Sequence, residues 1–148
     1  TYLGGTLVVA RLAPPDYHRF HFPITCIPGP PHPIDGPLFS VHPIALAKHW
    51  GILGENKRVV TSLLSEQFGK VLFIEVGATN VGTIHQTHLP NIEQQKGVEK
   101  GYFSFGGSCI LLLFAKGRFC LDADLKKASL QGLEVRCLMG QSMGKSMS

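Results

Sequence analysis

Charge is scarce in this chain. Of its 148 residues only 16% are Asp, Glu, Lys or Arg, against 44% hydrophobic. That balance excludes a disordered segment and leaves a globular chain with a lightly charged surface. The 14 basic and 10 acidic residues give a net charge of +4 and a pI near 9.0. No basic run or basic helix accompanies the excess, so nucleic acid is not the indicated partner; an anionic lipid surface or a phosphate group is. No apolar run reaches the roughly 18 residues of a membrane span, and no signal-peptide pattern is present. The four cysteines, Cys26, Cys109, Cys120 and Cys137, form no Cys-x-x-Cys pair, which removes zinc knuckles and redox motifs. Spread through apolar sequence, they are expected as reduced thiols in an intracellular setting. There is no internal repeat and no low-complexity linker, so residues 1–148 are read as one domain. The chain starts without Met, inside strand-like sequence (LVVARL), and is expected to be a fragment or a processed piece with further sequence upstream.

Turn residues are plentiful. Seventeen glycines and ten prolines favour many short strands over long helices. Strands are expected at 6–12, 38–41, 58–64, 70–76, 81–87, 102–105, 109–114 and 133–139. Two helical turns are expected at 44–50 and one near 122–130. Residues 27–37 (IPGPPHPIDGP) hold half of the prolines and read as an extended loop, 88–97 as a polar mobile loop, and the C-terminal end as frayed. The fold class is all-β: a mainly antiparallel, barrel-like sandwich with small helical additions.

The segment GYFSFGGSCILLLF, 101–114, places two glycines and a serine inside an otherwise ideal buried strand. Glycine there marks a bulge or a close backbone approach, and a bulge with Ser108 as small filler is the commoner outcome. A hydrolase elbow needs Gly-x-Ser-x-Gly, but Cys109 and Ile110 follow the serine. A phosphate loop needs a Lys and a following helix. What remains beside the bulge is self-cleavage of the backbone, in which the Ser108 hydroxyl attacks the Gly107 carbonyl. Glycine tolerates the strained angles this needs, and the hydroxyl needs a base within reach.

DYHRFH, 16–21, offers one. On a straight strand Asp16, His18 and Phe20 share one face and Tyr17, Arg19 and His21 the other, so only a turn or bulge lets His18 and His21 converge. Each histidine alone reads as a partly exposed surface residue. Two His, one Arg and one Asp within six residues point to a proton-transfer site. The other histidines lack metal-ligand spacing, and no metal is expected. In VGATNVG, 76–82, Thr79 among small residues marks either a strand crossing or a backbone lying close to a reacting centre.

RLAPPDYHRFHFP (11–23), LFSV (38–41), ENKRVV (55–60), FGKVLFIEVGATNVGTI (68–84) and KGVEKGYFSFGGSCILLLF (96–114), in that order and spacing, resemble the phosphatidylserine decarboxylases over nearly the whole chain. The resemblance implies a pyruvoyl-dependent carboxy-lyase made as a zymogen. Self-cleavage at Gly107–Ser108 would give a β chain, 1–107, and an α chain, 108–148, with Ser108 becoming the pyruvoyl cofactor. That carbonyl takes up the substrate amine and acts as the electron sink for CO2 loss, turning phosphatidylserine into phosphatidylethanolamine. By resemblance His21 matches the base for self-cleavage and His18 the histidine that assists decarboxylation. Tyr17, Arg19 and Thr79 are substrate-binding candidates, and Arg11, Arg19 and Arg58 the candidate cations for the headgroup. Cys109 stands where the family has Thr or Ser, and the family's Asp that orients the cleavage histidine is expected upstream. Phosphatidylserine, an anionic membrane surface, the two chains of one precursor and a homo-oligomer are the implied partners. The implied location is membrane-associated, on the cytoplasmic face of a bacterial inner membrane. The alternative is a non-maturing scaffold that binds lipid surfaces, or a lipoyl-type hybrid barrel.

Overall fold

The protein is described by a computed structural model over residues 2–80, 83–104 and 106–147. The strands expected at 81–87 and 102–105 therefore extend beyond the described residues, at Val81, Gly82 and Phe105.

Among the described residues there are eleven strands and three short helices: β1 (Thr6–Leu12), β2 (Arg19–His21), β3 (Ile27–Pro28), β4 (His32–Ile34), α1 (Pro43–Lys48), α2 (Ile52–Glu55), β5 (Arg58–Ser65), β6 (Gly69–Val76), β7 (Thr83–Gln86), β8 (Glu99–Ser104), β9 (Ser108–Phe114), β10 (Phe119–Leu121), α3 (Ala123–Leu130) and β11 (Gly144–Ser146). They form a six-stranded sheet ordered β1-β9-β6-β5-β3, with β4 also on β5, a three-stranded sheet β2-β8-β7, and the pair β10-β11. Every pairing is antiparallel. The sheets stay open, so the all-β class with small helices stands but the barrel-like closure does not form.

The apolar run SCILLLF is explained by β9 lying between β1 and β6 with both of its faces covered. Side chains alternate. Ile110, Leu112 and Phe114 join Phe73, Leu63 and Val71 against Phe20, Phe22 and Phe103 of the smaller sheet. Cys109, Leu111 and Leu113 face the other way, onto Val41, Leu46, Ile52, Leu53 and Ala78 around α1 and α2.

One polar cluster lies inside this otherwise apolar packing. Lys100 of β8 and Glu75 of β6 are fully buried. The ammonium donates to Glu75 Oε1 at 2.5 Å, to Gln86 Oε1 at 2.6 Å and to Thr61 Oγ1 at 3.0 Å. It also stands over the rings of Phe20 and Phe73. The cluster thus joins β5 and β6 of one sheet to β7 and β8 of the other.

Several local expectations change. Residues 38–41 are extended but pair with no strand; Asn56 holds them instead. The proline-rich stretch contains β3 and β4, which fit because they lie at the sheet edge, where a missing N–H leaves no gap in the ladder. The loop 88–97 is tied to its neighbour by Cys26–Gln94 backbone bonds in both directions, by Asn91 N–H to Pro28 O, and by Gly97 N–H to Phe22 O. The strand expected at 133–139 is irregular, whereas Gly144–Ser146, expected to fray, pairs with β10.

Candidate active site

Residues 13–18 lead from β1 of the larger sheet to β2 of the smaller, and Gly106 and Gly107 precede β9. Ser108 opens β9 opposite Leu12, the last residue of β1. By alternation it shares the face of Leu12, Ile110 and Leu112, which looks toward β2 and β8. Its hydroxyl is buried and without a hydrogen-bond partner. Such a group costs about 1–3 kcal/mol, so an orphaned hydroxyl beside two glycines sets this position apart from an ordinary strand filler. Gly106 has φ +89°, a region side chains avoid. A Cβ on Gly107 would lie 3.7 Å from Leu12 O, an ordinary contact. The conformational demand therefore falls on Gly106.

On the opposite face, at the same end of β1 and β9, lies a cleft of about 240 Å³ whose walls include Arg11, Ser40, His42, Thr79, Gly106 and Gly107. Asn56, fully buried, builds two of its walls. Its amide donates to Phe39 O and Gly77 O, both at 2.8 Å, and its carbonyl accepts from Phe39 N–H at 3.1 Å. Thr79 Oγ1 closes the join by donating to Leu38 O at 3.1 Å. Thr79 and Gly107 thus line the same cleft. His42 caps α1, its Nδ1 accepting from Ile44 N–H at 3.3 Å.

The DYHRFH residues divide between two faces. Carbonyls only accept, so His18 Nδ1–H donates to Asp16 O at 2.6 Å, and His21 Nδ1–H donates to Gly97 O at 2.8 Å. Both rings thereby present a lone pair at Nε2. On His18 that atom is buried and unpartnered, and the ring packs edge-on to Phe103 at 6.5 Å. On His21 it accepts from the Tyr17 hydroxyl at 2.9 Å, and the two rings stack at 5.8 Å. The β2–β8 register does shift between Phe20 and His21, yet the two histidines keep different partners. Register sets their positions relative to Ser108. His18 O takes the Phe103 N–H, near the end of β8 that precedes β9 in sequence, while His21 lies opposite Glu99 at the other end of β8. Ser108 Oγ is hydrogen-bonded to neither histidine.

Of the three candidate arginines, Arg19 makes two bonds to Glu99, at 2.8 and 3.0 Å, and lies over the Tyr102 ring. Its guanidinium holds the Glu99 carboxyl below the usual carboxylate range. Arg58 donates to Asn56 O at 3.0 Å. Arg11 alone lines the cleft, and its guanidinium donates to both oxygens of the largely exposed Glu134 at 2.9 and 2.8 Å. Burial pushes the Cys109 thiol up to about 12, so this sulfur stays protonated beside Ser108 and does not compete with it as a nucleophile. All four cysteines are free.

Asn56, His42 and Glu134 were not singled out in the sequence. Asn56 appears there only within ENKRVV, without a role of its own, His is an unusual helix cap, and Glu134 reaches Arg11 across 123 positions, which no local pattern reports.

The family model described as Phosphatidylserine decarboxylase matches residues 1–145. Proteins named Phosphatidylserine decarboxylase proenzyme are similar to the chain in Chlamydia muridarum, 55% identical over 147 residues, covering 99% of this chain and 49% of the relative. In Chlamydia caviae the figures are 55% over 146 residues, 99% and 49%, and in Chlamydia pneumoniae 55% over 145 residues, 98% and 48%. The chain thus spans about half the length of the curated relatives it matches. No solved structure matches it.

Proposed function

Because the chain belongs to the phosphatidylserine decarboxylase family, we propose that it matures by self-cleavage at Gly107–Ser108 and then decarboxylates phosphatidylserine to phosphatidylethanolamine. The observation that carries this reading is the buried, unpartnered Ser108 hydroxyl directly after Gly106 and Gly107. Ser108 Oγ adds to the Gly107 carbonyl, and the C–N bond breaks to leave an ester and a free amine. Loss of the Ser108 Cα proton expels the Gly107 carboxylate, and water then replaces the amine nitrogen as ammonia, leaving a ketone on residue 108. The residues fit that pyruvoyl group: an orphaned, buried polar atom at the start of a strand, directly after two glycines.

When formed, the group supplies the electron sink for CO2 loss. The chain's own residues do the rest. His18 Nε2 carries an unshared lone pair and is ready to take or return a proton. His21 is the base that the family resemblance implies for cleavage; here its Nε2 is held by the Tyr17 hydroxyl at the end of β8 away from Ser108, so that role requires the ring to leave Tyr17 and move towards residue 108. Thr79, Tyr17 and Arg19 remain the substrate-binding candidates, with Thr79 in the cleft wall. Cleavage turns residues 106–107 from a wall of the cleft into a chain end, opening the cleft towards residue 108. The pieces 1–107 and 108–148 stay together because β9 is flanked on both sides by strands of the other piece. The substrate is a membrane lipid, and a net charge of +4 suits an anionic bilayer. Among the described residues no helix is long and apolar enough to cross a membrane; the location proposed is membrane-associated, at the cytoplasmic face of a bacterial inner membrane, because the substrate is a membrane lipid.

The test is the intact mass of the full-length protein under denaturing conditions, followed by CO2 release from phosphatidylserine vesicles. Two pieces split at Gly107–Ser108, the C-terminal one lighter by an ammonia than a serine-started peptide, are expected. Ser108→Ala should stay whole. An unbroken wild-type chain overturns the reading in favour of a non-maturing lipid-binding scaffold.

A further inference from the structure

We propose that Arg11 and His42 form an oxyanion-binding subsite of the cleft, and that the Glu134 carboxylate occupies it as an internal stand-in which the headgroup's own carboxylate or phosphate displaces. The inference deepens the decarboxylase reading and rests on it for the nature of the substrate.

Arg11 presents a two-pronged donor set to Glu134, the geometry with which a guanidinium takes a carboxylate or a phosphate. Arg11 and His42 are both cleft walls beside Gly107, and His42 lies within electrostatic reach of the same Glu134 carboxylate. Arg11 also feels Asp16 and Cys109, the latter protonated. Glu134 is therefore the carboxylate that fills the cation's fork. The other two arginines singled out in the sequence are committed away from the cleft, to Glu99 and to Asn56 O.

The segment that carries Glu134 to the Arg11 guanidinium is also informative. Residues 133–139 have no regular structure, and Leu133, Val135, Leu138 and Met139 are exposed. The segment buries little apolar surface that would oppose its withdrawal. Displacement exchanges one carboxylate–guanidinium pair for another of the same kind, so an arriving headgroup competes with the internal carboxylate for Arg11.

The experiment titrates O-phospho-L-serine, inorganic phosphate and acetate into the full-length protein at low salt, followed by amide NMR shifts and calorimetry. Glu134→Gln removes the competitor without changing shape, and should tighten O-phospho-L-serine binding about threefold to tenfold, the worth of a half-exposed ion pair. Arg11→Gln should abolish binding with or without Glu134→Gln. Tightening shared with inorganic phosphate assigns the site to the phosphate; tightening shared with acetate assigns it to the carboxylate. Glu134→Ala repeats the competition test should Glu134→Gln misfold, and thermal unfolding checks every variant. Unchanged affinity in the Glu134 variants, binding that survives Arg11→Gln, or no binding of any probe each overturns the subsite. The mass of the same samples separates the two readings. Cleaved protein with unchanged affinity refutes the subsite alone, whereas whole protein with tightened binding refutes the decarboxylase reading alone.

Discussion

Replacing Lys100 with methionine should destabilise the protein by about 3–5 kcal/mol at neutral pH, the usual result of leaving one member of a buried ion pair alone. Methionine fills the space of the lysine stem with an apolar, adaptable chain, so cavity formation contributes little. What the substitution removes is the ammonium that donates to Glu75, Gln86 and Thr61. Glu75 is fully buried. Desolvation already pushes its carboxyl above the usual range, and the attraction and hydrogen bond of Lys100 are the main opposing influences. Without Lys100 the carboxyl rises further. The sign follows from linkage. Below the carboxyl's unfolded value both states are protonated and the penalty is absent. As pH rises past that value the unfolded state ionises first, and stability falls until the native carboxyl ionises too. Lys100→Met should therefore approach the wild type in acid and fall away from it towards neutrality.

Thermal or urea midpoints across a pH series measure this; 3–5 kcal/mol corresponds to about 6–20 °C in a chain of this size. The double variant Lys100→Met/Glu75→Leu should recover most of the loss or exceed the wild type, because replacing both charges by apolar groups of similar volume is neutral or stabilising by about 1–4 kcal/mol. A loss below about 1 kcal/mol for Lys100→Met at neutral pH, against the 3–5 expected for a buried pair, or a loss that does not vary with pH, would refute the reasoning.

Three further outcomes are expected. Gly101→Ala should cost at least about 3 kcal/mol in urea denaturation, because its Cβ would lie 2.0 Å from His85 O and 2.7 Å from the Phe20 ring, on the middle strand of the smaller sheet. Gly106→Ala forces a side chain into φ +89°; it should cost about 1–3 kcal/mol and slow the appearance of the two cleaved pieces in a gel time course. Tyr17→Phe removes the hydroxyl that occupies His21 Nε2. It should leave the unfolding midpoint nearly unchanged and cleavage at least as fast as in the wild type, and slower cleavage would make Tyr17 a participant rather than a competitor.

Much of the strand order follows from local pattern. VVTSLL and VLFIEV, separated by a Glu-Gln-Phe-Gly turn, specify the β5–β6 hairpin, and Gly69 takes the positive φ that the turn needs. The continuous run of β9 specifies a strand covered on both faces. Pattern failed where pairing was decided at a distance. LFSV is strand-like but is held by one buried Asn, and 133–139 is apolar enough for a strand but finds no partner, while a Gly-Lys-Ser tail does. Pro28 and Pro33 were read as loop because sequence does not reveal which strand lies at an edge.

By itself, the sequence determined that this chain is all-β, that Gly106, Gly107 and Ser108 interrupt a buried strand, and that DYHRFH carries histidines on alternate faces. Each of these depends on neighbours along the chain, through strand alternation and glycine's backbone freedom. Only the tertiary structure decided that the Ser108 hydroxyl is buried without a partner, that Thr79 and Arg11 share a cleft with Gly107, and that Glu134 fills the Arg11 fork. The ion pair between Lys100 and Glu75 is of the same kind, since neither residue's neighbours announce the other. Burial and charge pairing join residues tens of positions apart, and no local periodicity encodes which cation meets which carboxylate once the sheets close over them.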